Sequence, residues 1–155
     1  VRKRYPNLIL NVFDLPSVID TAKPKISHLS DNSKIKLIPG NFIEDNLPDG
    51  HDVIFLNRVL YDHNDRSVEL LLRKIYDALS PGGQLIISEP MAGSKKPTRS
   101  GDAYFGFYTL AMTSGKPRSK NEHFKMLNKS GFMHLKFLQG TNDFVTSVIL
   151  AKKNK

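Results

Sequence analysis

The sequence contains no cysteine among its 155 residues. Disulfide bonds, thiolate metal sites and cysteine nucleophiles are therefore excluded. No apolar run approaches the roughly 18 residues that span a bilayer, and the apolar run at residues 8–10 is too short for the core of a signal peptide. These absences predict a soluble protein without a membrane span, which we expect in the cytoplasm.

The composition is that of an ordinary globular protein, with 39% hydrophobic and 25% charged residues. It excludes a disordered or fibrous chain, and the length allows one domain at most. The net charge of +8 raises the possibility of nucleic-acid binding. However, the basic residues are scattered, and the densest groups lie at the two ends, where they are typical of solvated tails. We therefore expect no nucleic-acid partner, and a basic tail at residues 152–155.

Segments with strand and helix patterns alternate along the chain. The predicted strands are residues 8–13, 34–39, 51–56, 85–87, 134–138 and 144–151. The predicted helices are residues 17–29 with a break favoured at Pro24, residues 64–79 beginning at an Asn64 cap, and residues 102–113 and 121–129. This alternation predicts an α/β fold with a mostly parallel sheet. The last two strands have only a short link and are expected to pair antiparallel.

Ligands of such sheets bind beyond the carboxyl ends of the strands. Asp14 directly follows the first strand, where a carboxylate binds ribose hydroxyls or, equally well, caps a turn. Residues 40–42 follow the second strand and offer an amide and an aromatic ring to an adenine, or form a simple turn. Phe42 on its own is more often a core residue.

Residues 61–63 follow the third strand, at the entry to a helix. His63 is a candidate base because its ordinary pKa lies near neutrality, although a histidine in a turn is more often a surface or capping residue. Tyr61, with an ordinary pKa of about 10, is a poor base at neutral pH. The spacing of His51, Asp62 and His63 is not that of a metal site, so we expect no metal.

Four motifs occur in a characteristic order, at residues 14–16, 40–42, 58–63 and 79–83. Together they resemble the catalytic domain of S-adenosylmethionine-dependent O-methyltransferases of the plant and bacterial small-molecule type. Further segments at residues 88–91, 101–112 and 144–148 resemble the demethylspheroidene O-methyltransferase branch, which methylates a hydroxyl on a carotenoid. The resemblance covers nearly the whole chain and implies a Rossmann-like methyltransferase sheet over residues 1–151.

The resemblance implies S-adenosylmethionine as the methyl donor. At matching positions Asp14 would hold the ribose, Asn41 and Phe42 would flank the adenine, and Asn57 would lie near the donor. The family usually has Asp where Asn41 stands, and an amide retains both a donor and an acceptor. The donor-binding residues implied in this way are Asp14, Leu15, Gly40, Asn41, Phe42, Asn57 and Arg58.

The catalytic residues implied by the resemblance are Tyr61, His63 and Glu89. Tyr61 stands where the family commonly has a histidine base, so we expect it to position the acceptor hydroxyl while His63 or a water takes the proton. Glu89 matches a glutamate that orients that base, and a second such glutamate is absent near Pro117. An apolar acceptor pocket would be lined by Phe105, Tyr108 and Met112, unless these residues are helix core.

The family also has two parts without a counterpart here, namely a glycine-rich loop after its first strand and an N-terminal helical domain through which relatives form homodimers. That first strand would lie between the strands at residues 8–13 and 53–56, which are therefore expected to face a gap. Since the chain begins with Val1, we expect a C-terminal catalytic fragment of a longer protein. Alone, it is expected to bind the donor weakly or not at all.

The expected reaction is methyl transfer from S-adenosylmethionine to a hydroxyl of an apolar, carotenoid-like small molecule. Two alternatives stay open at this point. One is a non-catalytic remnant or binding module. The other is a nicotinamide-dependent oxidoreductase, because an aspartate that binds ribose after a strand serves both chemistries.

Overall fold

The computed structural model describes residues 4–27, 33–93, 95–139 and 146–155. The chain divides into two compact units, Val1–Leu47 and Pro48–Lys155. Within the described residues, no helix is both long enough and apolar enough to cross a bilayer.

The first unit is a strand–helix–strand arrangement of β1 (Leu10–Asp14), α1 (Pro16–Ser27) and β2 (Ile35–Pro39). The two strands pair in parallel, and Ile19 of α1 is buried. The predicted break at Pro24 is wrong, because α1 continues through this proline. The missing N–H removes one backbone hydrogen bond of the helix, which the rest of α1 tolerates. Residues 28 and 29 of the predicted helix lie outside the described residues.

The second unit has a four-stranded sheet in the order β3-β4-β6-β5. Its strands are β3 (His51–Asn57), β4 (Leu79–Glu89), β5 (Met133–Leu138) and β6 (Ser147–Lys152). The β3–β4 pair is parallel, whereas β6 is antiparallel to both of its neighbours. The predicted α/β fold with an antiparallel final pair is therefore confirmed, and the sheet is mixed, because β6 is antiparallel to β4 as well as to β5. Residues 144 and 145 of the last predicted strand lie outside the described part of the chain.

Three helices accompany this sheet: α2 (Asp65–Ala78), α3 (Phe105–Ala111) and α4 (Lys120–Lys129). As predicted, α2 begins at Asn64, whose side chain accepts a hydrogen bond from the Ser67 backbone N–H at 3.0 Å. A π-helical turn, Arg99–Tyr104, precedes α3, so the helix predicted at residues 102–113 is shorter and begins irregularly.

The core of the second unit lies on one face of its sheet, where α2 packs on β4 and α4 packs on β5 and α2. Alternate residues of β4 point into this core, as expected for a strand. The fully buried aliphatic residues of the core include Leu60, Val68, Leu72, Ile75, Leu79, Leu85, Ile87, Leu127 and Ile149. On the opposite face, Val53 and Phe55 of β3 are exposed, Phe55 by 57%.

The C-terminal residues are more ordered than the predicted basic tail. Lys152 belongs to β6 and pairs with Gln84. The Lys153 backbone N–H donates to the Gly83 carbonyl at 2.9 Å, and its ammonium donates to the Leu79 carbonyl at 2.7 Å. The Ser-Pro-Gly-Gly motif itself interrupts the β3–β4 register, which passes from Leu79 to Gln84, and these contacts with Lys153 hold it in place.

The strands β1 and β3 belong to separate sheets. In the portion that the structure describes, β1 pairs only with β2, and β3 pairs only with β4. Each strand therefore has one edge without a strand partner there.

Candidate active site

The first unit places two of the predicted donor-binding segments at the carboxyl ends of its two strands. Asp14 ends β1 beside Pro39, the last residue of β2, and the Gly40 backbone N–H donates to the Asp14 carbonyl at 2.9 Å. The Asp14 side chain is exposed, and its Oδ1 accepts a hydrogen bond from the Leu15 backbone N–H at 2.8 Å. The carboxylate thus holds the backbone that leads into α1. It stands at the carboxyl end of β1, where ligands of such sheets bind.

Residues 40–42 form a turn that is fixed by two side chains. The Asn41 Oδ1 accepts from the Ile43 backbone N–H at 3.0 Å, and Asp45 Oδ2 accepts from the Asn41 backbone N–H at 2.8 Å. A Cβ at Gly40 would lie 2.5 Å from the Phe13 ring, which explains the glycine. Phe42 is half-buried. The segment therefore forms a turn, in which the half-buried Asn41 amide stands next to the Phe42 ring in the sequence.

In the second unit, the chain leaves β3 through a tight turn at residues 60–63, here called the 60–63 turn. Asn57 ends β3 opposite Ser88. Arg58 follows with a positive φ of 58°, an uncommon conformation for a residue other than glycine. Its backbone N–H donates to the Ser88 carbonyl at 2.8 Å. Leu60 and Tyr61 are then buried.

Glu89, the last residue of β4, is 1% exposed and hydrogen-bonds to the backbone of the 60–63 turn. Its Oε2 accepts from the Leu60 and Tyr61 N–H groups at 2.9 and 3.3 Å. Glu89 therefore orients the main chain that carries Tyr61. It was expected to orient the side chain of a base, and these two hydrogen bonds run to the main chain that carries that side chain.

The other oxygen of Glu89 contacts a residue that sequence reasoning missed. Glu89 Oε1 lies 2.7 Å from His123 Nε2, and His123 Nδ1 lies 3.0 Å from the Ser119 carbonyl. Because a carbonyl oxygen only accepts, Nδ1 carries a hydrogen, and one further proton lies between Nε2 and Oε1. The available signal was the position of His123 on the buried face of α4, with Met126 and Leu127.

The side chain of Tyr61 lies in a cluster of rings. Its ring centroid is 5.6 Å from that of Phe105 and 6.1 Å from that of Tyr108. The Arg58 guanidinium lies 5.3 Å from the Phe105 centroid and donates through Nη2 to the Tyr61 hydroxyl at 3.2 Å. Two of the three predicted acceptor residues thus meet Tyr61. The third, Met112, follows the end of α3 and is 57% exposed.

The surroundings shift the pKa of Tyr61 upward and the pKa of His63 downward. Burial raises the pKa of Tyr61 more than the Arg58 hydrogen bond lowers it, so the phenol keeps its proton at neutral pH. Burial lowers the pKa of His63, the Arg118 charge lowers it further, and the Asp62 charge opposes both. His63 is therefore neutral at neutral pH, in the form that accepts a proton.

Asp62, between these two residues, has a raised pKa because of burial, and the charges of His63 and Arg58 oppose this rise. Its Oδ1 is buried and has no hydrogen-bond partner among the residues that the structure describes. A partly buried carboxyl group thus lies next to both candidate residues.

Two solved structures that are similar to this chain over nearly its whole length bear the names of methyltransferases. Human N-acetylserotonin methyltransferase in complex with SAM matches with a TM-score of 0.80 and 30% identity, over 99% of this chain and 43% of that chain. A putative O-methyltransferase from Nostoc punctiforme matches with a TM-score of 0.88 and 27% identity, over 98% of this chain and 47% of that chain. The fold is therefore the Rossmann-like methyltransferase fold.

The sequence profile of the O-methyltransferase domain matches residues 1–133, and the chain belongs to this family. It is 49% identical to demethylspheroidene O-methyltransferase of Rhodobacter capsulatus, over 99% of this chain and 37% of that protein. It is 38% identical to the enzyme of the same name from Cereibacter sphaeroides, over 97% of this chain and 40% of that protein. The predicted resemblance is confirmed, and the chain spans about two fifths of the length of these relatives.

Proposed function

We propose that the protein transfers a methyl group from S-adenosylmethionine to a hydroxyl group of an apolar small molecule. The observation that carries this proposal is the placement of Tyr61 and His63 on one turn, beside the rings of Phe105 and Tyr108. A hydroxyl acceptor needs a group that orients its oxygen and a group that removes its proton, and these two side chains supply both.

The residues of the first unit have the chemistry that the nucleoside part of the donor requires. The exposed Asp14 carboxylate has acceptor capacity for both ribose hydroxyls, as in dinucleotide sites. Asn41 offers an amide, and Phe42 a ring, to the adenine. Leu15 and Gly40 set the backbone of these two segments. When bound, S-adenosylmethionine supplies a methyl group on a positively charged sulfur.

Arg58 was expected to bind the donor together with Asn57, and its observed contacts suggest a different use. Its guanidinium donates to the Tyr61 hydroxyl oxygen. The phenol oxygen accepts this hydrogen bond, so the hydrogen of the phenol points away from Arg58. There it can be donated to the hydroxyl oxygen of the molecule that receives the methyl group. We assign Arg58 to the orientation of the phenol, and Asn57, exposed at the end of β3, to the donor.

In the transfer, the Tyr61 O–H holds the acceptor oxygen. His63 would take the hydroxyl proton of the acceptor as the carbon–oxygen bond forms and the methyl–sulfur bond of the donor breaks, which leaves S-adenosylhomocysteine as the second product. Glu89 keeps the turn in place through its two backbone hydrogen bonds. Alignment of the reacting groups lowers the activation barrier further. The roles of Phe105, Tyr108 and Met112 are to contact an apolar acceptor.

The class of acceptor is proposed from the aromatic cluster and from the name of the relatives in Rhodobacter and Cereibacter, which is that of a carotenoid methyltransferase. The test is to incubate the full-length gene product with methyl-labelled S-adenosylmethionine and either demethylspheroidene or N-acetylserotonin. We expect label in the carotenoid. Label in N-acetylserotonin alone would remove the carotenoid assignment, and label in neither would count against the proposed function.

The role of Asp14 is testable by replacing it with asparagine. Loss of the charged acceptor should weaken binding of S-adenosylmethionine at least tenfold, because a hydrogen bond to a charged group contributes about 1.5–3 kcal/mol. Calorimetric titration of the full-length gene product measures this. The matched control is Asp20→Asn, since Asp20 is exposed on α1 and pairs only with Lys23 among the described contacts. Equal affinity of both variants would contradict the assignment, and so would binding of a nicotinamide dinucleotide instead.

A further inference from the structure

Arg118 is a buried arginine that the proposed mechanism does not yet use. It lies between α3 and α4 and is 1% exposed. Its Nη1 donates to the Leu60 carbonyl and its Nη2 to the His63 carbonyl, both at 2.8 Å. Its Nε and Nη2 also donate to Asp65 Oδ1 at 2.9 and 2.7 Å. One guanidinium therefore binds both ends of the 60–63 turn and the first residue of α2.

Two neighbours of Arg118 contact the middle of the same turn. Gly115 has a φ of 77°, and a Cβ there would lie 2.2 Å from the Tyr61 carbonyl oxygen. The Ser114 hydroxyl donates to the Asp62 carbonyl at 3.2 Å. Residues 114–118, here called the 114–118 segment, thus lie against the main chain of the turn, close enough that only glycine fits at position 115.

The turn is held from two sides by opposite chemistry. Glu89 accepts from the N–H groups of Leu60 and Tyr61, whereas Arg118 donates to the carbonyls of Leu60 and His63. Because the two sets of bonds satisfy different backbone groups, neither can replace the other. The side chains of Tyr61 and His63 leave this main chain directly, so their directions depend on both sets.

The ion pair with Asp65 does not account for these contacts by itself. The Asp65 side chain is 56% exposed, and exposed ion pairs contribute little to stability. Burial by itself would raise the pKa of Asp65, but the hydrogen bond and charge of Arg118 hold that pKa below its usual value. The planar guanidinium, with five donors in a fixed fork, matches four acceptors at once, the fourth being the Lys116 carbonyl at 3.4 Å, which a lysine ammonium on a flexible stem does not.

We propose that Arg118 is a positioning residue that fixes the 60–63 turn through the Leu60 and His63 carbonyls and so directs Tyr61 and His63 at the acceptor. The inference rests on the proposed function, because it concerns the direction of the two groups that act on the acceptor. A displacement of about 1 Å at such groups lowers a rate by a factor on the order of a hundred.

The test compares Arg118→Lys and Arg118→Met with Lys116→Met in the full-length gene product. Lys116 is a matched control because its ammonium contacts the same Asp65, at 3.3 Å, and is about half exposed. We expect Arg118→Lys to lower kcat at least tenfold, with the affinity for S-adenosylmethionine changed less than twofold. Hydrogen exchange of the peptide that contains residues 58–64 should become faster in both Arg118 variants and stay unchanged in Lys116→Met.

The kcat is referred to the folded fraction, measured by circular dichroism, so that unfolding alone cannot produce the result. The proposal would be overturned if Arg118→Lys had the wild-type kcat per folded molecule. It would also be overturned if hydrogen exchange at residues 58–64 were unchanged in the Arg118 variants. If Arg118→Met does not fold, Arg118→Lys decides alone. If the wild-type protein transfers no methyl group, the proposed function fails, while the exchange measurement still decides whether Arg118 fixes the turn.

Discussion

Replacing Glu89 with alanine is expected to lower the free energy of unfolding by about 3–5 kcal/mol, since each buried group that loses its hydrogen-bond partner costs about 1–3 kcal/mol. The truncation would leave three groups in the core without their hydrogen-bond partner, namely the Leu60 and Tyr61 N–H groups and the His123 ring. Natural domains are stable by only about 5–15 kcal/mol, so this loss would be severe. Urea denaturation followed by circular dichroism measures it.

Glu89→Gln is the matched variant for this prediction. The glutamine carbonyl accepts from Leu60 and Tyr61, and its amide donates to His123 Nε2 when the ring carries its hydrogen on Nδ1, toward Ser119. We therefore expect a loss of about 1 kcal/mol or less, the size of one ordinary hydrogen bond. A glutamine variant as unstable as the alanine variant would mean that the negative charge, and not the hydrogen-bond geometry, stabilises this part of the core.

Replacing His63 with glutamine is expected to lower kcat by a factor of about 10²–10⁴, the range contributed by a positioned general base. The full-length gene product is assayed with labelled donor and saturating acceptor. His134→Gln is the control, because His134 is an exposed histidine on β5. A His63→Gln variant with the wild-type kcat would show that a water or another group takes the proton.

The pH dependence follows from the lowered pKa of His63, which burial and the Arg118 charge produce against the Asp62 and Glu89 charges. In the folded protein the ring gains a proton only below its ordinary pKa of about 6.5. The acid limb of kcat against pH should therefore lie below that value. The unfolded chain binds this proton first, so the His63 contribution to stability should fall as the pH drops from about 6.5 through the folded pKa.

Much of the fold was predictable because local patterns agree with the global structure. The Asn64 cap, the apolar stripe of α2 and the apolar runs of β3 and β4 each identify their element. Pro24 and the last residues misled, for different reasons. A proline removes only one hydrogen bond from a helix, and Lys153 is held by main-chain groups that are distant in the sequence.

The candidate site was only partly predictable. Tyr61 and His63 could be identified because they follow a strand. Phe105 and Tyr108 could be identified because they lie in a segment that is rich in aromatic residues and has a helical pattern. The partners of Glu89 could not, since its bonds to Leu60 and His123 span 29 and 34 positions. Arg118 appeared as one basic residue among many. No periodicity links such residues, because their proximity results from the packing of separate elements.

The 60–63 turn also has a consequence for the order of folding. Its anchors lie 29 positions away at Glu89 and 58 positions away at Arg118, and contacts between distant positions cost loop-closure entropy and slow the folding of a chain. A growing chain on the ribosome cannot complete the turn until residue 118 has emerged. The groups assigned to chemistry thus cannot reach their native places when β3 and β4 alone have been synthesised.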